Sequence, residues 1–236
     1  MHYLPFLSTL VTFAFAAAVF IRYLRRRGPH LLMWTIGLVF FGIGTLAEVL
    51  LAFFFSGLVL KLWYLGGAML TAAWLGQGSL HLLIRKRRLA WSLTGVLAAF
   101  SLLAALLVLS APLTPAASAY NISRAISSQY KEILTRSGLI IALTITLNIY
   151  GTLTLVGGAI YSAILFFRKH VLVNRMVGNF LIAIGAMAPA MAGSFVSMGL
   201  PDLLYLSELI GVILMYIGFI QATSAPVRDA VPAATA

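Results

Sequence analysis

Two glutamates interrupt apolar stretches of this chain, and they are the residues best suited to chemistry. Glu48 lies within the apolar run 31–55, and Glu208 lies about one turn into the run 203–223. An ionisable side chain inside a membrane helix costs about 2.5–3.5 kcal/mol on insertion scales, and it therefore marks a functional candidate. If both face one interior, the pair of carboxyl groups favours a cation, an amine or a proton. The alternative for Glu48 is a structural hydrogen bond, and for Glu208 it is extension to the outer headgroups.

Further polar and aromatic residues in the third, fifth and sixth apolar runs are candidates for lining the same interior. Gln77 is the most informative, because it lies between Gly76 and Gly78, where small neighbours permit close helix approach. Trp63 fits either this lining or the aromatic belt at the outer surface. We predict a ligand-binding set of Glu48, Gln77, Glu208, Asn148, Tyr150, Trp74 and Asn179.

The chain shows no arrangement typical of an enzyme. It has no cysteine, which excludes disulfides, thiolate metal sites and cysteine nucleophiles. Of its four histidines, only His81 falls within a predicted membrane helix, so two axial haem ligands at one depth are not available. We therefore predict no catalytic residue and no metal site, and the sequence identifies no cofactor.

The apolar runs that carry these residues predict the architecture. The chain is 62% hydrophobic and 9% charged, whereas a soluble domain is usually about 25% charged. Runs of about 18 or more apolar residues are typical of membrane helices. We predict an all-α polytopic membrane protein with transmembrane helices at residues 4–23, 31–55, 59–84, 89–109, 139–167, 176–198 and 203–223.

Lys and Arg residues predict the orientation of these helices in the cell membrane. Twelve of the 16 fall on one side, in the loops after helices 1, 3 and 5 and in the tail, and only four fall on the other side. By the positive-inside rule the N-terminus lies outside and the C-terminus is cytoplasmic. The net charge of +11 therefore reflects membrane orientation and lipid contact rather than nucleic-acid binding.

Two segments outside the apolar runs have their own character. Residues 116–137 form the one long loop, on the outer side, and their apolar positions recur three or four residues apart, which predicts a short amphipathic helix at the membrane surface. Residues 226–236 are rich in small residues and predict a flexible cytoplasmic tail. The remainder, residues 1–225, is predicted to form a single membrane domain.

A faint internal repeat relates the two halves of this domain. Eleven of 39 positions are identical between residues 27–65 and residues 168–206 without a gap. Glu48 aligns with Pro189, and Glu208 aligns with Gly67, so the carboxylates are features of one half each. The alternative is a composition shared by all membrane helices. The repeat predicts a parallel 3+1+3 arrangement, with halves at about 4–84 and 139–223 and helix 89–109 as the linker.

The 3+1+3 arrangement resembles the architecture of the SWEET sugar transporters, and microbial rhodopsins share the helix count and orientation. The resemblance concerns architecture alone. The Pro-Gln pairs of the SWEET and PQ-loop families are absent, and helix 7 has no lysine for a retinal Schiff base. No functional residue is carried over from either family.

These features lead to one main functional hypothesis and two alternatives. We predict a protein that binds or transports a small ligand between helices 1–3 and 5–7, with Glu48 as the charged member of its site. The first alternative is a seven-helix sensor or receptor that signals to a cytoplasmic partner. The second is a non-catalytic accessory subunit of a larger membrane complex. A homo-oligomer is compatible with each of them.

Overall fold

The computed structural model describes residues 3–168, 173–197 and 202–223. This part of the chain is mostly helical, and no strand occurs in it, so the all-α prediction is confirmed. The helices are α1 (Tyr3–Arg26), α2 (Pro29–Leu51), α3 (Gly57–Trp63), α4 (Thr71–Leu83), α5 (Arg87–Ser110), α6 (Ile126–Ile133), α7 (Gly138–Arg168), α8 (Val173–Ser197) and α9 (Asp202–Thr223).

Six helical segments of the described chain are long and apolar enough to cross a membrane. They are Tyr3–Arg26, Pro29–Leu51, Gly57–Leu83, Arg87–Ser110, Gly138–Leu165 and Leu203–Thr223. This pattern indicates a multi-pass membrane protein in contact with a lipid bilayer. The sixth predicted span, 176–198, corresponds to α8, which is not one of these six. The side chains of residues 189–197, the end of that span at residue 198 and the predicted tail 226–236 lie outside the described residues.

The third span is one continuous helix with a π-helical segment at its centre. A π-helical stretch, Tyr64–Leu70, joins α3 to α4. The span begins at Gly57, and the preceding residue, Ser56, caps it: the Ser56 hydroxyl accepts a hydrogen bond from the Val59 amide at 3.5 Å. The preceding helix, α2, ends at Leu51, one turn earlier than predicted, because the chain turns at Ala52 and Phe53. Glu48 therefore lies in the last turn of α2, opposite the beginning of the third span.

Six of the helices form a ring, and α5 packs outside it. Around the ring, α1 contacts α2, α2 contacts the third span, and the third span contacts α7. The ring continues from α7 to α8 and from α8 to α9, and α9 closes it against α1. Within the described part of the chain, α5 lies mainly against the third span and α7. The ring leaves an interior that residues from several helices share.

The two ends of the ring differ in the chain that covers them. We call one the arginine end, where the loops α1–α2 and α4–α5 lie, and the other the α6 end. At the α6 end, Thr114 donates its amide to the Ile133 carbonyl at 2.9 Å, and the Tyr120 hydroxyl donates to the Leu51 carbonyl at 2.9 Å. These bonds hold α6 across the mouth of the ring.

The apolar face of α6 packs on the helix ends beneath it. Ile126 and Ile133 are buried in the same core as Trp63 and Leu134. Gln129 is also buried, and its side chain bonds the backbone of the preceding loop at Asn121 and Arg124. The amphipathic pattern of the long loop therefore reflects packing against the protein as well as the surface position.

Candidate functional site

A cavity of about 570 Å³ lies inside the ring beneath α6. Its walls come from α2, the third span, α7, α8 and α9, and α6 borders it at the end of the bundle. Small side chains at the wall leave this space open. The polar and aromatic residues that border it are Phe41, Thr45, Glu48, Trp63, Thr71, Ser127, Ser128, Tyr130, Lys131, Asn148, Thr152 and Glu208.

Glu48 is held in the wall of this cavity by a neighbouring indole. Its side chain is 5% exposed, and its Oε1 accepts a hydrogen bond from Trp63 Nε1 at 2.9 Å. Its Oε2 is buried and has no hydrogen-bond partner among the described residues. A buried carboxylate oxygen without a partner is costly, so a bound proton or ligand at Oε2 would lower the free energy of the site.

Glu208 meets Glu48 across the cavity wall. It lies in the second turn of α9, and the two carboxyl groups are near enough for a side-chain hydrogen bond when one of them is protonated. Glu208 Oε2 is buried and, within the described part of the chain, unpartnered. The Ser127 hydroxyl on α6 is likewise buried without a partner among the described residues, and Ser127 also borders the cavity. Three polar groups from three helices thus lack partners around one space.

The π-helical segment shapes the wall opposite Glu208. Gly44 on α2 lies so close to Gly67 that a Cβ on Gly44 would be 2.7 Å from the Gly67 Cα. Side chains donate to two carbonyls of this segment: Asn148 Nδ2 donates to the Ala68 carbonyl at 2.7 Å, and the Thr71 hydroxyl donates to the Gly66 carbonyl at 2.9 Å. Single π turns inside α-helices are frequent at functional sites.

Tyr130 on α6 closes part of the cavity mouth. Its ring packs edge-on against Trp63 with centroids 5.1 Å apart, and the Arg136 guanidinium lies 5.1 Å from its centroid. Burial raises the pKa of Tyr130, and the positive charge of Arg136 partly opposes that effect. The phenol is therefore neutral near pH 7, and its residue borders the cavity.

An apolar floor ends the cavity toward the arginine end. Leu75, Leu155 and Met215 border the cavity and also a small apolar void of about 30 Å³ beyond it. Beyond the floor, Phe15 packs on Phe219 with centroids 5.6 Å apart. The interior is thus hollow at one end and filled at the other.

Three of the predicted site residues, Glu48, Glu208 and Asn148, border the cavity. The Asn148 amide nitrogen is already used in hydrogen bonds within the protein, because Nδ2 also donates to the Thr144 carbonyl at 2.9 Å. Trp63 is the neighbour that the prediction missed, since its aromatic-belt interpretation was equally good. Its position, 15 residues after Glu48 across a short turn, is the signal that places the two side chains at a similar depth.

The other predicted site residues lie away from the cavity. Gln77 is fully buried, donates to the Thr94 hydroxyl at 2.8 Å and accepts a hydrogen bond from the Tyr150 hydroxyl, which ties α4 to α5 and α7. Trp74 Nε1 donates to the Ser101 hydroxyl on α5 at 3.1 Å. Asn179 donates to the Arg175 carbonyl of its own helix at 2.9 Å, close to the arginine end. None of these four borders the cavity.

Fold and site together define a class: a multi-pass helical membrane protein with two buried carboxyl groups at an internal cavity. Across the described residues, His, Asp and Glu side chains form no group of three that could hold a metal ion. Comparisons of the chain with protein-family models, curated proteins and solved structures find no match. The function must therefore be argued from the site itself.

Proposed function

We propose that this protein binds a small ligand in the cavity beneath α6 and carries it across the cell membrane. The observation that supports this most is the pair of buried carboxyl groups, Glu48 and Glu208, each with an unpartnered oxygen at one internal space. A purely structural carboxyl group would have its oxygens satisfied by the protein. A buried acceptor without a protein partner is stabilised when a proton or a ligand donor reaches it.

The size and composition of the cavity fit this proposal. Its volume of about 570 Å³ falls within the range of about 300–1,000 Å³ that is typical of small-molecule sites. Apolar side chains such as Phe41, Leu155 and Met215 form much of its wall, and a few polar groups are grouped at one end. This combination binds the apolar part of a ligand by contact and orients it through its polar part.

Helix packing supports the 3+1+3 arrangement in the proposal. α5 lies outside the ring, as a linker between two triplets would. A Cβ on Gly37 of α2 would be 2.8 Å from the Leu75 amide in the third span, and a Cβ on the aligned Gly178 of α8 would be 2.4 Å from the Ala222 amide in α9. Equivalent glycines thus serve equivalent helix pairs in the two halves.

Under the positive-inside rule, the arginine end faces the cytoplasm, and the N-terminus and α6 face outward. The cavity then lies in the outer half of the bilayer, and the apolar floor separates it from the inside. Parallel triplets that rock against each other around a central site provide alternating access. In this scheme the floor opens when the α6 end closes.

Proteoliposomes test the transport proposal directly. We expect purified protein to take up at least one member of a panel of sugars, amino acids, amines and inorganic cations, or to dissipate a proton gradient reported by a trapped dye. Glu48→Gln should abolish that flux, because it removes the charge at the cavity wall. Wild-type flux in Glu48→Gln across the whole panel would contradict the proposal.

Glu132→Gln is the matched control for this experiment. Glu132 is an exposed carboxylate on α6 that does not border the cavity, so its replacement should leave flux unchanged. Glu48→Asp separates an effect on folding from an effect on function, because it keeps the carboxylate but shortens the side chain by one methylene group. Each variant should elute as the wild-type protein does in size-exclusion chromatography before its flux is compared.

The filled arginine end favours one alternative, a sensor that binds the ligand without passing it on. Leu75, Leu155 and Met215 close the cavity on that side, and α6 is bonded across the other. Ligand binding without flux, together with a stoichiometric partner recovered from native membranes, would support the sensor. Flux that Glu48→Gln abolishes would exclude it.

A further inference from the structure

We infer that the ligand is a monovalent organic amine, and that it exchanges for a proton held between Glu48 and Glu208. The inference rests on the proposed function of the cavity and specifies its substrate class. It is carried by the facing carboxyl groups, the unpartnered oxygens and the aromatic faces beside them.

The charge of the pair determines what can bind beside it. Two carboxylates that are both ionised and removed from water repel each other strongly, so the empty site is best occupied by a pair that shares one proton and has a net charge of −1. When an ammonium ion R–NH₃⁺ binds, that proton passes to water and both carboxylates face the cation. Site and ligand together then again have a net charge of −1, and only an O–H bond is broken.

The unpartnered oxygens match the donors of an amine. Oε2 of Glu48 and Oε2 of Glu208 lack partners among the described residues and can each accept a hydrogen bond, and an ammonium group supplies up to three donors. Trp63 cannot compete for Glu48 Oε2, because its Nε1 is bonded to Oε1 of the same carboxyl group. The indole thus fixes Oε1, and Oε2 is the oxygen left without a partner among the described residues.

The aromatic side chains favour an organic cation over a metal ion. Trp63 and Tyr130 border the cavity next to the carboxyl pair, and Phe41 borders it too. Aromatic faces attract ammonium ions, and the effect grows as water is excluded. A cavity of about 570 Å³ is far larger than a bare metal ion needs, whereas its apolar wall fits the hydrocarbon part of an amine.

The other charged and titratable groups near the pair do not supply a second exchangeable proton near pH 7. Tyr205 on α9 lies close to both carboxyl groups, and Tyr130 borders the cavity from α6. Phenols keep their proton at this pH. Lys131 is an exposed cation on α6, where solvent screens it. The described cavity residues of the third span, α7 and α8 have no titratable side chain.

Calorimetry on the purified full chain tests the inference with two probes of nearly the same shape, 2-phenylethylamine and neutral 2-phenylethanol. Titrations at pH 7 in two buffers with different ionisation enthalpies give the number of protons released. We expect the amine to bind at least about tenfold more tightly and to release close to one proton. Because binding releases a proton, the affinity for the amine should rise with pH, by up to about tenfold per pH unit.

The variants separate this inference from the proposed function. The double variant Glu48→Gln/Glu208→Gln should lose the preference for the amine and the proton release, whereas Glu132→Gln should keep both. Equal binding of the two probes without proton release would overturn the amine inference, as would a failure of the amine to bind. Uptake of a neutral solute that Glu48→Gln abolishes would then leave the transport proposal standing without it. An unchanged thermal unfolding midpoint in detergent shows that the double variant is folded.

Discussion

At the α6 end the ring of helices encloses a cavity of about 570 Å³, whereas at the arginine end the same helices close around a void of only about 30 Å³. The difference arises from side-chain volume rather than from the number of helices. Gly44, Gly67, Ala68, Ala72 and Ala186 border the hollow end. At the arginine end, the rings of Phe15, Trp34 and Phe219 pack together and fill the space.

The side-chain chemistry also differs between the two ends. The hollow end contains the two carboxyl groups with unpartnered oxygens, and the filled end contains the aromatic cluster around Phe15, Trp34 and Phe219, where Trp34 Nε1 also lacks a partner among the described residues. A transmembrane bundle that only needed stability would fill both ends, because association of helices in lipid depends on close packing. The hollow end has therefore kept space at a cost in packing, which is what a binding site requires.

The largest effect is expected at the helix crossing between the two ends. Gly151→Leu should destabilise the fold by about 3 kcal/mol or more, because a Cβ there would be 2.2 Å from the Ala72 carbonyl carbon and α7 must separate from α4. The loss should appear as aggregation or a large drop in the unfolding midpoint in detergent. Gly157→Leu, on the same helix with nothing within 4 Å of the new Cβ, is the control and should be tolerated.

A smaller effect should distinguish the filled end from the hollow end. Phe219→Ala should cost about 3 kcal/mol, because it opens a new cavity among packed rings. Phe41→Ala should cost about half as much, because Phe41 already borders a void and has fewer contacts to lose. Equal costs in denaturant titrations would mean that the two ends are equally well packed.

The next effect concerns the indole that orients Glu48. Trp63→Phe should weaken ligand binding about tenfold, because it removes a hydrogen bond to a carboxylate at about 1.5 kcal/mol or more while keeping most of the apolar contact. Calorimetry with 2-phenylethylamine measures the change. Trp91→Phe, at an exposed position on α5, should leave the affinity unaltered. Similar losses in both variants would argue against a specific role of Trp63.

The smallest effect is expected at the mouth of the cavity. Arg136→Met removes a cation from the Tyr130 ring and should cost about 0.5–1 kcal/mol in stability. It should also raise the pKa of Tyr130 further, because the positive charge that opposes the effect of burial is gone. A difference titration of tyrosine absorbance between Arg136→Met and Arg136→Met/Tyr130→Phe isolates that group. A fall in the pKa would contradict this arrangement.

Sequence reasoning located the carboxyl groups but only part of their surroundings. Glu48 and Glu208 stood out because charge is rare in apolar runs. Gln77 stood out as a polar side chain between two glycines, yet its amide is engaged by Thr94 and Tyr150 between α4, α5 and α7. Polarity alone does not tell a satisfied side chain from an open one, because both interrupt an apolar run in the same way.

Helix boundaries show the same limit. The first predicted span, 4–23, agrees with α1 to within a few residues, because Gly28 and Pro29 mark the turn that follows. The end of α2 was placed after the actual turn, because the apolar residues Ala52 to Phe55 continue the hydrophobic run beyond the helix. The π-helical segment Tyr64–Leu70 had no local signature beyond its two glycines.

The sequence by itself determined the helical membrane class and the rarity of Glu48 and Glu208, because run length and charge content are properties of the chain. Only the tertiary structure decided that these carboxyl groups, which are 160 residues apart in the sequence, lie next to each other. It also decided that Trp63 holds one of them and that the space beside them stays open. The physical reason is that depth and facing direction depend on which helices are neighbours in the ring. Pairing across the ring is set by close crossings such as Gly44 on Gly67 and Gly151 on Ala72, and those contacts exist only when the helices are packed.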